Sequence, residues 1–417
     1  METLTLCEYK TTPAVPLTAE QLDGLRVLVP SIAISPSRGQ AGCYDLTPGS
    51  TIGAVSLAGL AVEIRPKIEI DRILFLLSYV LDPKAWRTAS FQFAARPSLL
   101  EAIVAAFLRQ VRQAFRRGVL QGYRSEEESL PGVRGRIRFD DQLRRRFGLA
   151  PPVEVRYDEF TEDIEPNRLI RAAADRLERM RLRSEESQSS LRWIRSALER
   201  VSLQEYGPDQ IPEIAWDRLN EHYRGAVELA RLILRGTSFD LRHGGVRASA
   251  LLVDMNEVFE VFVVTALREA LRLGPQAFPR GTARKSLWLD RAQAVRLEPD
   301  LSWWEGGECL FVGDVKYKRI RVSGVKHPDL YQLLAYTVAA GLDGGLLIYA
   351  AGEGEPVTHQ VVDLGKRLEV VAVDLTGTPG EILRQIEELA ERVRAARKAV
   401  QDSTNLSSSS SSSLPRW

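Results

Sequence analysis

The run LFVGDVKYKRI, residues 310–320, has the apolar density of a central strand, yet Asp314 and Lys316 stand in its middle. Leu310, Phe311, Val312 and Val315 supply the apolar flanks. On a strand, residues two apart point to the same face, so Asp314 and Lys316 share one side. Charges buried in such a strand are costly unless a ligand or a function accounts for them. The run therefore demands a sheet around it and a reason for the two charges.

The neighbouring sequence supplies the sheet. A long amphipathic helix is expected over 252–273, followed by strands at 286–290, 294–304 and 308–318. A helix over 329–340, strands at 344–350 and 368–374, and a helix over 380–400 complete the pattern. Such an order predicts an α/β layer domain with a mixed central sheet over residues 241–405.

The rest of the chain reads differently. Residues 1–95 predict a small β-rich domain: a helix over 18–29 capped by Thr18, a hairpin turning at Ala58-Gly59, and an apolar helix at 71–81. Residues 96–240 predict a mainly helical connecting domain, with helices over 99–117, 165–183 and 189–203 and a helix start at Glu165-Pro166. Residues 406–417 read as a disordered Ser-rich tail. The fold class is thus α+β multidomain, as a length of 417 residues favours.

Net charge is +1, so any contact with nucleic acid must use a local basic surface rather than the overall field. Three cysteines, Cys7, Cys43 and Cys309, lie far apart with no metal-ligand spacing, which points to a reducing compartment. The N-terminus has no signal-peptide pattern, and the longest apolar run, 73–81, is too short to span a bilayer. A cytoplasmic protein without a membrane segment is expected. No P-loop pattern is present, so no P-loop NTPase activity is expected of this chain.

Asp300 follows Pro299 where the chain leaves one strand-like run, and the turn at Glu305-Gly306-Gly307 could bring it beside Asp314. Two close carboxylates repel unless a divalent cation lies between them, and oxygen ligands of this kind suit Mg²⁺, with Mn²⁺ as an alternative. Such an ion polarises a phosphoryl oxygen and lowers the pKa of a bound water, with Lys316 placed to orient that water or neutralise charge on phosphorus. The bland reading is a surface salt bridge on a hairpin with one polar face. Glu257 and Glu260 on the preceding helix could lean toward the metal or form a solvated stripe. Gln332 and Tyr336, four apart, share a helix face and could bond a phosphate or the carboxylates.

E-P-D-L (298–301), G-D-V-K-Y-K (313–318) and D-L-Y-Q-L-L-A-Y (329–336) together resemble the PD-(D/E)xK nuclease superfamily, in its variant with a Q-x-x-x-Y helix. More narrowly, the chain resembles the McrC family, nuclease subunits of McrBC-type modification-dependent restriction systems. I-R-P-K-I (64–68), R-G-R-I (134–137), Y-D-E-F-T-E-D-I-E-P-N-R (157–168) and M-N-E-V-F-E-V-F-V (255–263) follow in the family's order, over most of residues 40–350. The resemblance implies a nuclease-like C-terminal domain, Asp300, Asp314 and Glu260 as metal ligands, and Lys316 as catalytic lysine. It also implies docking through the N-terminal region onto a hexameric McrB-like AAA+ GTPase, which the subunit stimulates, with double-stranded DNA as substrate. The alternative is a non-catalytic adaptor of an AAA+ motor on a nuclease-like scaffold.

Other features read both ways. Arg65 and Lys67 are candidates for stimulating a motor or surface residues at a strand end. Arg109, Arg112, Arg116 and Arg117, and Arg144–Arg146, could follow a phosphate backbone or form solvated faces. Asp158, Glu159, Glu162, Asp163 and Glu165 suit the start of the helix near Pro166 better than a second metal site. The four histidines, His222, His243, His327 and His359, show no pairing, and Trp303 and Trp304 are expected in or beside the sheet.

Overall fold

The computed structural model describes residues 3–81, 98–146, 151–180, 182–207, 210–239, 249–281, 287–318, 327–350, 357–362 and 364–410. Ser286, His243 and tail residues 411–417 lie outside the described residues.

The N-terminal region folds as its sequence dictates. Thr18 caps the helix Ala19–Leu28, bonding Gln21 N while the Gln21 side chain returns to the Thr18 N–H. Strands Thr51–Leu57 and Leu60–Arg65 pair antiparallel across Ala58-Gly59, both with positive φ, a two-residue turn that matches strand twist. They join a five-stranded sheet in the order Thr3–Cys7, Leu60–Arg65, Thr51–Leu57, Ser249–Asp254, Thr237–Phe239. The last two strands come from far along the chain, and Ser249–Asp254 lies within the span expected for the C-terminal domain. The expected boundary at 240/241 therefore does not separate the sheets. Residues 252–254, expected in a helix, are strand, and the helix begins at Met255.

The middle holds helices Leu99–Ala114, Glu165–Glu178, Glu185–Ala197 and Arg224–Gly236, plus a three-stranded sheet built on Gly122–Leu130 and Val153–Thr161. Arg112 donates to Ser190 Oγ at 2.6 Å, tying two of these helices together. Asp163 is buried and does not cap the helix that follows. Ile164 stands at the N-cap without a side-chain bond, while Asp163 accepts from Arg168, Ser202 and Arg124. The Arg168 hydrogen bond leads the effects that hold its carboxyl well below the usual range.

The C-terminal sheet runs Leu301–Glu305, Glu308–Lys316, Gly344–Ala350, Arg367–Val373, Val357–Gln360. Its outer pairs are antiparallel and its inner pairs parallel, so it is mixed. Alternation along the strands splits the core. Leu346 and Ile348 join a cluster with Phe259 and Ile382, from helices Met255–Leu271 and Pro379–Ser410. Leu347 and Tyr349 pack with Leu333 of helix His327–Ala339 on the opposite face. Trp303 and Trp304 are both buried in this sheet. Helix Pro379–Ser410 continues into the segment expected to be a disordered tail from 406, because extending a formed helix adds one hydrogen bond per residue fixed. No helix among the described residues is long and apolar enough to cross a membrane.

Candidate active site

Strand pairing brings the two aspartates together. The hairpin at Gly306-Gly307 folds Leu301–Glu305 back onto Glu308–Lys316, with Leu301 opposite Gly313. Asp300, one residue before that register, reaches across and accepts Val315 N–H at 2.9 Å through Oδ2. Alternation sends Val315 into the core shared with Phe259, and Val312 toward Tyr336 on the other face. Asp314 and Lys316 take the parity of Val312 and so face the helix His327–Ala339.

Asp314 is fully buried, and its Oδ2 is ion-paired with the Lys316 ammonium. Lys316 Nζ lies 2.5 Å from Asp314 Oδ2 and 3.9 Å from Asp300 Oδ2. Burial, then the charge of Asp314, pushes the Asp300 carboxyl up to about 7. Burial also raises Asp314, against the pull of Lys316. Burial lowers Lys316, but Asp314, and then the charges of Asp300 and Asp329, more than offset it, so the net shift is upward and the side chain is an ammonium at neutral pH.

Gln332 and Tyr336 do share a helix face, but they bond each other rather than the carboxylates. Gln332 Nε2 donates to Tyr336 Oη at 2.6 Å, and Tyr336 Oη donates to the Glu298 carbonyl at 3.0 Å. The pair therefore anchors the segment that delivers Asp300. Burial raises the Tyr336 hydroxyl above its usual range, as do the Asp314 and Asp300 charges.

Glu260 is held by Arg280, whose Nε donates to its Oε1 at 2.8 Å. Its carboxyl is raised first by burial, and the charge of Asp300 adds to the effect. Glu257 is more exposed and lies 3.5 Å from the same guanidinium. Among the described residues no cluster of three or more His, Cys, Asp or Glu side chains is arranged to hold a metal. The three-carboxylate ligand set expected from the sequence is thus not assembled, because Glu260 is paired with Arg280. Two carboxylates remain, and Mg²⁺ is commonly held by one or two, with waters and phosphate oxygens completing its shell. The solvent-free oxygens of Asp314, with Lys316 beside one of them, fit such a cation.

Two contributors escaped the sequence reading. Arg280 sits in a segment with no periodic signal. Asp329, buried at the start of the Gln332 helix, accepts from Tyr349 Oη at 2.6 Å and Lys318 Nζ at 3.3 Å. The second lysine of G-D-V-K-Y-K was the available hint for that network.

The model of the McrBC 5-methylcytosine restriction system component matches residues 46–350. The chain belongs to the McrBC family. Its fold is similar to that of a chain in the refined half-complex from the tetradecameric assembly of Thermococcus gammatolerans McrB AAA+ hexamers with bound McrC. The TM-score is 0.56 at 16% identity, covering 94% of this chain and 100% of that one. A chain of the cryo-EM structure of the Thermococcus gammatolerans McrBC complex matches with a TM-score of 0.41 at 19% identity, over 65% of this chain and 88% of that one. No curated protein matches. Within the McrBC family match fall Asp300, Asp314, Lys316, Gln332 and Tyr336.

Proposed function

We propose that this chain is the DNA endonuclease subunit of a McrBC-type restriction system, with a C-terminal domain of the PD-(D/E)xK kind. One observation carries the reading: a fully buried Asp314, ion-paired with Lys316 and set beside Asp300. A purely structural strand gains nothing from that arrangement, since buried charge is costly.

Asp300 and Asp314 would hold Mg²⁺ or Mn²⁺. When bound, the ion polarises a phosphoryl oxygen and acidifies a water. Lys316, being an ammonium, donates hydrogen bonds and offsets negative charge as it grows on phosphorus. Tyr336 and Gln332 position the Asp300 segment, and the Arg280–Glu260 pair lies within the field of Asp300. The Thermococcus gammatolerans assembly joins McrC to McrB AAA+ hexamers. For this chain we infer a partner of the same kind, a McrB-like AAA+ GTPase that it stimulates, with double-stranded DNA cut in the cytoplasm only when that motor is engaged.

The test is cleavage of DNA by the chain with its motor, GTP and Mg²⁺, following GTP hydrolysis in the same reactions. Asp314→Asn is expected to lower cleavage by about a thousandfold or more while leaving GTPase stimulation intact. Unchanged cleavage would remove the metal site and leave the adaptor reading in first place.

A further inference from the structure

Two family segments meet away from the carboxylates: I-R-P-K-I (64–68) and the end of G-D-V-K-Y-K (313–318). Strands Thr3–Cys7 and Leu60–Arg65 run parallel and end together, with Cys7 opposite Arg65 and Glu8 N donating to Arg65 O at 2.9 Å. Glu8, Tyr9 and Lys67 therefore emerge at one end of the N-terminal sheet. Tyr9 sits at φ +57, in the left-handed region that a tyrosine adopts where its neighbours hold it.

Tyr317, the residue after Lys316, is fully buried among these three. The Lys67 ammonium lies 3.6 Å from the Tyr317 ring centroid and 5.0 Å from that of Tyr9. Phe259 packs against the Tyr317 ring with centroids 6.0 Å apart. Tyr317 Oη donates to Glu8 Oε2 at 3.5 Å, and Lys67 N donates to the same oxygen at 3.0 Å. Tyr9 Oη donates to the backbone carbonyl of Tyr317 at 3.2 Å. Ring, hydroxyl and carbonyl of Tyr317 are each engaged by an N-terminal residue. The Lys67 ammonium is shut off from solvent, so it is not the outward-facing side chain that contact with a motor would require.

We propose that Glu8, Tyr9 and Lys67 are positioning residues that clamp Tyr317 and thereby hold Lys316 against Asp314. Alternation supplies the linkage: fixing residue 317 toward the helix Met255–Leu271 fixes residue 316 toward the opposite face. The N-terminal sheet thus controls the placement of the lysine from outside the C-terminal sheet. The catalytic consequence rests on the proposed nuclease function, whereas the clamp itself does not.

Hydrogen exchange over residues 312–318 of the full chain reads the clamp without any cleavage. Lys67→Met is expected to speed exchange there by about tenfold and Tyr9→Phe by about threefold, with the strand Gly344–Ala350 unchanged. Lys67→Arg stacks on the same rings and should stay near wild type. In the complex with motor, GTP and Mg²⁺, Lys67→Met should lower kcat by about tenfold with KM for DNA unchanged, and Lys67→Arg should recover most of the loss. Tyr9→Phe removes one hydroxyl and decides the matter if Lys67→Met does not fold. Exchange unchanged in the folded variants overturns the clamp. Faster exchange with unchanged kcat overturns the positioning role. A wild-type complex that cuts no DNA would end the nuclease reading, with exchange still deciding the clamp.

Discussion

The carboxyls of Asp300 and Asp314 are crowded and buried, so they titrate as a unit and keep a proton where isolated aspartates would have lost it. A cation entering between them must displace that proton. Asp300 stands at about 7 without metal, so Mg²⁺ affinity should be flat above that pH. Below it, affinity should fall by about tenfold per pH unit, since the ion competes with one proton. Titration calorimetry of the metal alone, in buffers of different ionisation enthalpy, should find close to one proton released per ion near pH 6 and almost none near pH 8. Binding with no proton release at pH 6 would mean that the pair is already fully ionised, contrary to its burial. The part of this site that was legible in the sequence is the part that strand periodicity controls: Asp314 and Lys316 on one face, and Asp300 folded back by Gly306-Gly307. Arg280 was not legible, because its pairing with Glu260 joins a loop to a helix 20 residues away in sequence and no local pattern encodes that contact.

At the level of elements, the strand Thr51–Leu57 shows what a close approach demands. Gly53 has φ +133, and a Cβ there would sit 2.1 Å from the Leu251 carbonyl oxygen of the neighbouring strand. Gly59, in the adjoining turn, has φ +79 with open space around it. Gly59→Ala should therefore cost only its backbone conformation, about 1 kcal/mol. Gly53→Ala adds a clash with backbone that cannot move without breaking the pairing to Ser249–Asp254, and should cost about 3 kcal/mol or more. Thermal denaturation of the two variants side by side gives the comparison, and equal losses would show that the two strands are not in the register described. The Ala58-Gly59 hairpin was readable from alternation and turn chemistry. The partner strand was not, because Ser249–Asp254 lies almost 200 residues further on, and its last residues also fit the periodicity of the helix that follows. Only the turn into Met255–Leu271, capped by Asp254, separates the two.

Across the whole molecule, that strand-to-helix join decides how independent the parts can be. Asp254 closes the N-terminal sheet and caps the helix that carries Phe259 and Glu260. Ser50 Oγ donates to Asp254 Oδ1 at 2.9 Å, and Asn256 Nδ2 donates to Ser50 Oγ at 2.6 Å. One core runs from Ile52 through Phe107, Ile170 and Ile233 to Phe262, Ile348 and Val393. A division of the chain at 95 and 240 would predict separate unfolding of three units. A shared core and a strand that crosses the division predict instead that the N-terminal sheet, the helices and the C-terminal sheet lose structure together. Scanning calorimetry should give one main transition, with calorimetric and van't Hoff enthalpies close to equal. Gly53→Ala should lower the temperature of the whole transition rather than detach an early one, although Gly53 lies in the N-terminal sheet. Resolved transitions, with only the first moved by Gly53→Ala, would mean that the sheets unfold independently. The N-terminal sheet could not then restrain Tyr317 from a distance. Cooperative unfolding and the placement of Lys316 therefore depend on the same contacts.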